Sequence, residues 1–133
     1  MATQILLDNE YATVWFHDDK KIVHHAIKKP IRGAPFREML DAGALAMERR
    51  LSQKWLSDDR NNGALPEEDE KWSNEDWVPR VIRAGWKYWA VVIPTKAVGQ
   101  LNIQRFVEAF ASHGVTVQVF TDPDEAMTWL AAQ

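Results

Sequence analysis

The residues best equipped for chemistry lie together in one turn, Ser57-Asp58-Asp59-Arg60-Asn61-Asn62-Gly63. Its carboxylates could bind a cation or move a proton, and its serine could act as a nucleophile. Arg60 and Asn61 could read a phosphate or a partner's acid. Calcium is the first chemistry to weigh, because Asp58-x-Arg60-x-Asn62-Gly63, with Asp69 at the twelfth position, has the outline of an EF-hand loop. Arg60 puts a cation where an oxygen ligand belongs, and Asp69 replaces the bidentate glutamate, so a solvated acidic turn is expected instead. Asp58 and Asp59 are neighbours in sequence, which does not make them two carboxylates facing one substrate. The histidines are no better placed for a metal. His24 and His25 are adjacent, so in a strand they point to opposite faces, and His17 can join only one of them across a hairpin. There is no glycine-rich phosphate loop, HExxH or GxSxG, and spacing gives no serine a histidine and acid partner. The absence of cysteine excludes disulfides, thiolate metal sites and thiol nucleophiles, and fits a reducing compartment. No metal, cofactor or catalytic group is expected, and the chain reads as a binding protein.

Aromatic and charged residues sharpen that reading. Trp72, Trp77, Trp86 and Trp89 fall within 18 residues and suit either an apolar pocket or plain core packing. From Asp58 to Glu70 six carboxylates face one arginine, whereas Lys20 to Arg37 carries six cations and no carboxylate. Such asymmetry steers a partner or pairs within the fold. The basic hairpin around Trp15 and Phe16 invites nucleic acid, but the sequence pI of about 5.8 and the lack of any recognised signature argue against it.

The elements that must position these residues follow from periodicity. Ala12–His17 and Ile22–Ile27 are β-branched and aromatic runs joined by Asp18-Asp19-Lys20-Lys21, an antiparallel hairpin, and Ile5–Leu7 offers a short edge strand. After Pro30, Gly33 and Pro35, the residues Phe36, Leu40, Ala44, Met47 and Leu51 recur at helical spacing. Trp55-Leu56-Ser57 is a brief buried strand. Pro66-Glu67-Glu68-Asp69-Glu70 starts a short helix, and Ser73 with Asp76 has capping-box spacing. Pro79 then requires a kink or restart before a stop at Gly85. Trp86–Pro94 is the clearest strand, Ala97–Ser112 returns to helical period, Val115–Phe120 alternates, and Asp122-Pro123-Asp124-Glu125 opens a last helix.

The order is therefore β-β-α-β-α-β-α-β-α in a single domain, residues 1–133, an α/β fold with a mostly parallel sheet and an N-terminal antiparallel hairpin. Ligands of such sheets sit beyond the strands' carboxyl ends, which here are Ser57–Asn62, Pro94–Lys96 and Thr121–Asp122. The N-terminus lacks the basic flank and apolar stretch of a signal peptide, and no segment approaches the roughly 20 apolar residues of a membrane span. A cytoplasmic protein without a transmembrane segment is expected, and the hairpin's edge strand leaves room for a homodimer.

One resemblance extends this. Trp77-Val78-Pro79-Arg80, the run Ala84-Gly85-Trp86-Lys87-Tyr88-Trp89-Ala90-Val91-Val92-Ile93-Pro94, and Val119-Phe120-Thr121-Asp122 with Glu125-Ala126 and Trp129-Leu130 resemble small uncharacterised bacterial SpoIIAA-like proteins. These are related in fold to STAS domains, the anti-sigma-factor antagonists, and to the Sec14 (CRAL-TRIO) lipid-binding fold. The resemblance runs from about Trp55 onward. It implies a β/α sheet of this type, a bacterial cytoplasmic setting, and either regulation through a protein partner or binding of a small apolar ligand or lipid. Antagonist STAS domains carry a phosphorylatable serine directly after an aspartate, whereas this chain reads Ser57-Asp58-Asp59, with the order reversed. The expected contact surface is Asp58, Asp59, Arg60 and Asn61 with Trp72 and Trp77, and Ser57 is the candidate phosphosite. An enzymatic alternative requires Asp58 or Asp59 to meet a second acid, a histidine or a metal in a pocket.

Overall fold

The helix and strand periods sort the apolar residues onto the two faces of one sheet. In the computed structural model, which describes residues 2–133, six strands lie in sequential order: β1 (Thr3–Asp8), β2 (Ala12–His17), β3 (Ile22–Ile27), β4 (Lys54–Asp58), β5 (Tyr88–Val92) and β6 (Thr116–Phe120). The pairs β1/β2 and β2/β3 are antiparallel, and β3/β4, β4/β5 and β5/β6 are parallel. The opening hairpin therefore becomes a three-stranded meander, because the edge segment around Ile5–Leu7 pairs along most of its length with a bulge between Ile5 and Leu7. Among the described residues no helix is long and apolar enough to cross a membrane.

The parallel strands advance in one direction without reversing. Crossovers of one hand then put their helices on one face. That face carries α1 (Ala34–Arg50), α2 (Glu67–Trp72), a π-helical turn (Ser73–Trp77), α3 (Val78–Ala84) and α4 (Ile103–Ala111), packed on Val14, Phe16, Val23, Trp55, Val91 and Val117. After β6 no further strand follows. Helix α5 (Pro123–Ala131) folds onto the opposite face, where Ala126 and Leu130 meet Ile22, Leu56, Ala90 and Val92.

Local chemistry explains the boundaries. Pro35 occupies the first turn of α1, where a missing N–H costs nothing, and the buried carboxylate of Asp69 accepts from the Gly33 backbone N–H just before it. This contact, with Arg37 Nε 3.6 Å from Asp69 Oδ1, is where the acidic and basic stretches meet. Pro79 lies in the first turn of α3 without the restart expected there, since helical dihedrals run unbroken from the π turn through Val78, and Gly85, at φ 110°, ends the helix.

Three further expectations are corrected. The capping box at Ser73 does not form, since Ser73 has helical dihedrals and the chain runs on through the π turn. The helix expected over Ala97–Ser112 breaks into a 3₁₀ segment (Thr95–Gln100) and α4, because Asn102 Oδ1 caps the Arg105 N–H and starts a new helix. Leu51 does not continue the apolar stripe of α1. It sits past the helix end in the left-handed region, 80% exposed, while Met39 and Gly43 supply buried positions instead.

Candidate functional site

Alternation along β4 decides the fate of the Ser57–Asn61 turn. Trp55 and Ser57 face the multi-helix side, with Asp59 continuing the series, whereas Leu56 and Asp58 face α5. The expected contact surface is thus split across the sheet. On the α5 side, Arg60 folds back onto Asp58, with Nε 2.9 Å from Oδ1 and Nη2 2.8 Å from Oδ2. Burial pushes the Asp58 carboxyl up, but the Arg60 hydrogen bonds and charge outweigh it and hold the group below its ordinary value. Asn61 donates to the Ile27 carbonyl at 3.3 Å, and Asn62 accepts from the Ile31 N–H, so the two amides fasten the turn to the end of β3 and to the loop before α1.

On the other side the turn borders a cavity of about 680 Å³ beyond the carboxyl ends of β3, β4 and β5. The first two ligand-site positions expected from the strand ends open onto it, and Thr121–Asp122 does not, because α5 occupies the far face. A sheet whose parallel strands never reverse has no switch-point crevice. Here the space opens where the Asn62–Leu65 loop and the 3₁₀ segment replace covering helices. Phe36, Met39 and Leu40 of α1 form one wall, and Ile93, Pro94 and Ala97 form another. Trp77 and Trp89 complete the aromatic lining.

These rings are held firmly. Trp77 donates through Nε1 to the Leu40 carbonyl at 2.9 Å, stands edge-on to Trp55 at 5.0 Å, and continues through Trp86 to Trp89 and Phe110. Edge-to-face spacing of this kind is attractive and fixes ring orientation. The π turn inserts one residue's worth of rotation and brings both Ser73 and Trp77 to the cavity. Trp72 is not in the lining; it packs edge-on against Phe36 and under the Arg37 guanidinium. Trp86, expected to help enclose a cavity, is buried beneath it, with an indole nitrogen that has no hydrogen-bond partner.

The cavity floor holds a polar relay that no sequence spacing announced. His25 and Ser57 are register partners on β3 and β4. Trp55 donates its Nε1–H to His25 Nδ1 at 3.1 Å, and His25 Nε2 lies 2.7 Å from Asp59 Oδ1. An indole nitrogen only donates, so Nδ1 must accept and the ring's single N–H points at Asp59. Ser57, 3% exposed, accepts from Trp89 Nε1 at 2.8 Å. Serine, histidine and aspartate therefore meet, but not as a nucleophile triad, in which the second ring nitrogen would accept the serine proton. Here Trp55 occupies that nitrogen. Asp59 does meet a histidine in a pocket, the condition set for a carboxylate-based site, and its chemistry is that of a hydrogen-bond acceptor held in place.

His24 points away from His25, as adjacent strand residues must. It lies with Trp15 and His17 on the far face, His17 Nε2 being 3.0 Å from its Nδ1. Burial, then the neighbouring His17, depress its pKa to about 3. Phe16 is wholly buried and offers no stacking surface. Among the described residues no three His, Cys, Asp or Glu side chains gather where they could share a metal ion. No protein-family model, curated protein or solved structure matches the chain.

Proposed function

We propose that the protein is a non-catalytic binding module of the STAS- and Sec14-like kind that holds a small, mainly apolar ligand in the cavity between α1, the π turn and the 3₁₀ segment. The carrying observation is the cavity itself. Its volume of about 680 Å³ falls within the range of small-molecule sites, roughly 300 to 1,000 Å³. Its apolar walls and locked tryptophans are what such a ligand needs, since rings already fixed lose little freedom on binding. The bacterial cytoplasmic setting that the resemblance implies belongs to the same reading.

Native mass spectrometry of freshly purified protein tests this. A co-purified small molecule is expected on the wild type and absent from Leu65→Trp, which fills the cavity from its loop side. A wild type that carries nothing, and whose melting temperature does not respond to medium-chain alcohols, would count against it.

A protein partner is the second reading, favoured by the half-exposed Arg60 guanidinium, 42% accessible, beside exposed Asn61 at a strand's carboxyl end. Captured partners should then be lost with Arg60→Ala/Asn61→Ala and retained with Leu65→Trp. The same partners on all three proteins would remove this surface.

A further inference from the structure

Among the described residues Asp59 is the only acid lining the cavity, and half of its carboxylate is uncommitted. Oδ1 accepts from His25, while Oδ2 has no hydrogen bond, and among the described residues no lysine or arginine nitrogen lies within 4.0 Å of either oxygen. His25 does not neutralise it, because the Trp55 donor requires an unprotonated Nδ1 and leaves the ring one N–H and no charge. The side chain is 32% exposed, so a bound molecule can reach it. The same cavity is lined by the aromatic side chains of Phe36, Trp77 and Trp89. Aromatic rings attract cations through their quadrupoles, and a charge-assisted hydrogen bond is roughly twice as strong as a neutral one. Among the described residues Lys96 is the one other charged side chain of the lining, and it makes no ion pair with Asp59. Ser57, Asn62, Ser73 and Gln100 are neutral, and Lys96 is an exposed side chain on the 3₁₀ segment.

Building on the cavity reading above, we infer that the site selects ligands with an apolar body and a protonated amino group, the ammonium donating to Asp59 Oδ2 and the body lying against the tryptophans. An apolar amine satisfies both halves of the lining. A fatty acid would set its carboxylate against Asp59, and an alcohol would leave the charge unpaired.

Calorimetric titration at neutral pH with octylamine, octanol and octanoate, three ligands that share a chain and differ in the head, tests this. Octylamine should bind at least tenfold more tightly than either. In Asp59→Asn, which keeps an oxygen for His25, the preference should fall to within about threefold while octanol affinity holds. Leu65→Trp should weaken all three, which separates the cavity from adsorption of amines to an acidic surface. The inference is overturned if octylamine gains nothing over octanol, if its advantage survives Asp59→Asn or Leu65→Trp, or if octanoate binds best. Should octanol bind normally with no amine preference, the cavity reading stands and the amine inference alone falls. Should none of the three bind, both fall.

Discussion

His24 shows how one half-buried ring sets the response of the protein to acid. Its neutral form is enforced by burial above all and by the neighbouring His17, which hold the folded pKa at about 3 against an ordinary 6.5. Between those values the unfolded chain binds a proton that the folded protein refuses, so stability rises with pH across this window and is lost as pH falls. The slope from one such group is about 1.4 kcal/mol per pH unit. The His17 ring is shifted in the same direction, chiefly by burial, and adds to it. The lowered carboxylates Asp8, Glu48 and Asp58 also lose stability in acid, but only as pH falls through their own range near 4. Urea unfolding between pH 6.5 and 5 therefore isolates the histidines. His24→Gln should flatten the pH dependence in that window by about 1 kcal/mol per unit. An unchanged slope would show that His24 is readily protonated in the folded protein. At the cavity floor, Trp89→Phe should cost about 1 kcal/mol by deleting the indole donor to Ser57.

At the scale of elements, helix α1 is fitted to the sheet through a residue without a side chain. A Cβ on Gly43 would clash with the Trp55 ring at Cη2, and Trp55 is held in place, because His25 accepts from its nitrogen and Trp77 abuts its ring. Gly43→Ala gains about 1 kcal/mol of helix propensity and meets an overpacking cost of about 1 to 3 kcal/mol. With the tryptophan pinned, the cost should win by up to about 2 kcal/mol, measured as a lower urea midpoint; a more stable variant would show that Trp55 yields. At the other end of α1, Leu51 holds φ 55° with its side chain in solvent, a conformation glycine adopts freely. Leu51→Gly should stabilise by about 0.5 to 1 kcal/mol, and a loss would mean that the leucine packs on something. These two positions also mark the limit of what apolar periodicity reveals. The series Phe36, Leu40, Ala44, Met47 identified the buried stripe of α1, but the same count carried Leu51 past the helix end and could not show that Gly43 is there to admit Trp55. Alternation in β4 placed Ser57 beside Asp59 and apart from Asp58, yet treating the turn as one surface ignored that consequence. The His25–Asp59 contact spans 34 positions and depends on strand register, while the π turn that delivers Trp77 depends on a backbone irregularity. Neither has a local sequence signal. The stop at Gly85 does, because a residue without a Cβ adopts φ 110° at no steric cost.

Over the whole molecule, the sheet has a porous side and a solid side, and they share the same strands. Side chains of β4 and β5 alternate between them: Trp55, Ser57, Trp89 and Val91 turn to the cavity side, and Leu56, Ala90 and Val92 turn to α5. Among the described residues helix α5 is the sole helix covering that second core, held by Ala126 and Leu130, both wholly buried, and started by the Asp122 side chain accepting from the Asp124 N–H. Removing the Leu130 side chain to alanine should cost about 2 to 5 kcal/mol, a large part of the roughly 5 to 15 kcal/mol that a domain of this size commands. Because every strand that loses contact with α5 is also a wall of the opposite core, the damage cannot stay on one face. Leu130→Ala should lower the denaturation midpoint with a single transition, identical by far-ultraviolet and near-ultraviolet circular dichroism. Two separated transitions would show that the α5 layer detaches while the aromatic side stays folded. In that case the cavity would be insulated from the far face, and occupancy of the site would leave the stability of α5 untouched. With one transition, a ligand bound among the tryptophans raises the stability of the whole sheet by mass action, and protection of the amides of β4 and β5 should rise together with that of α5.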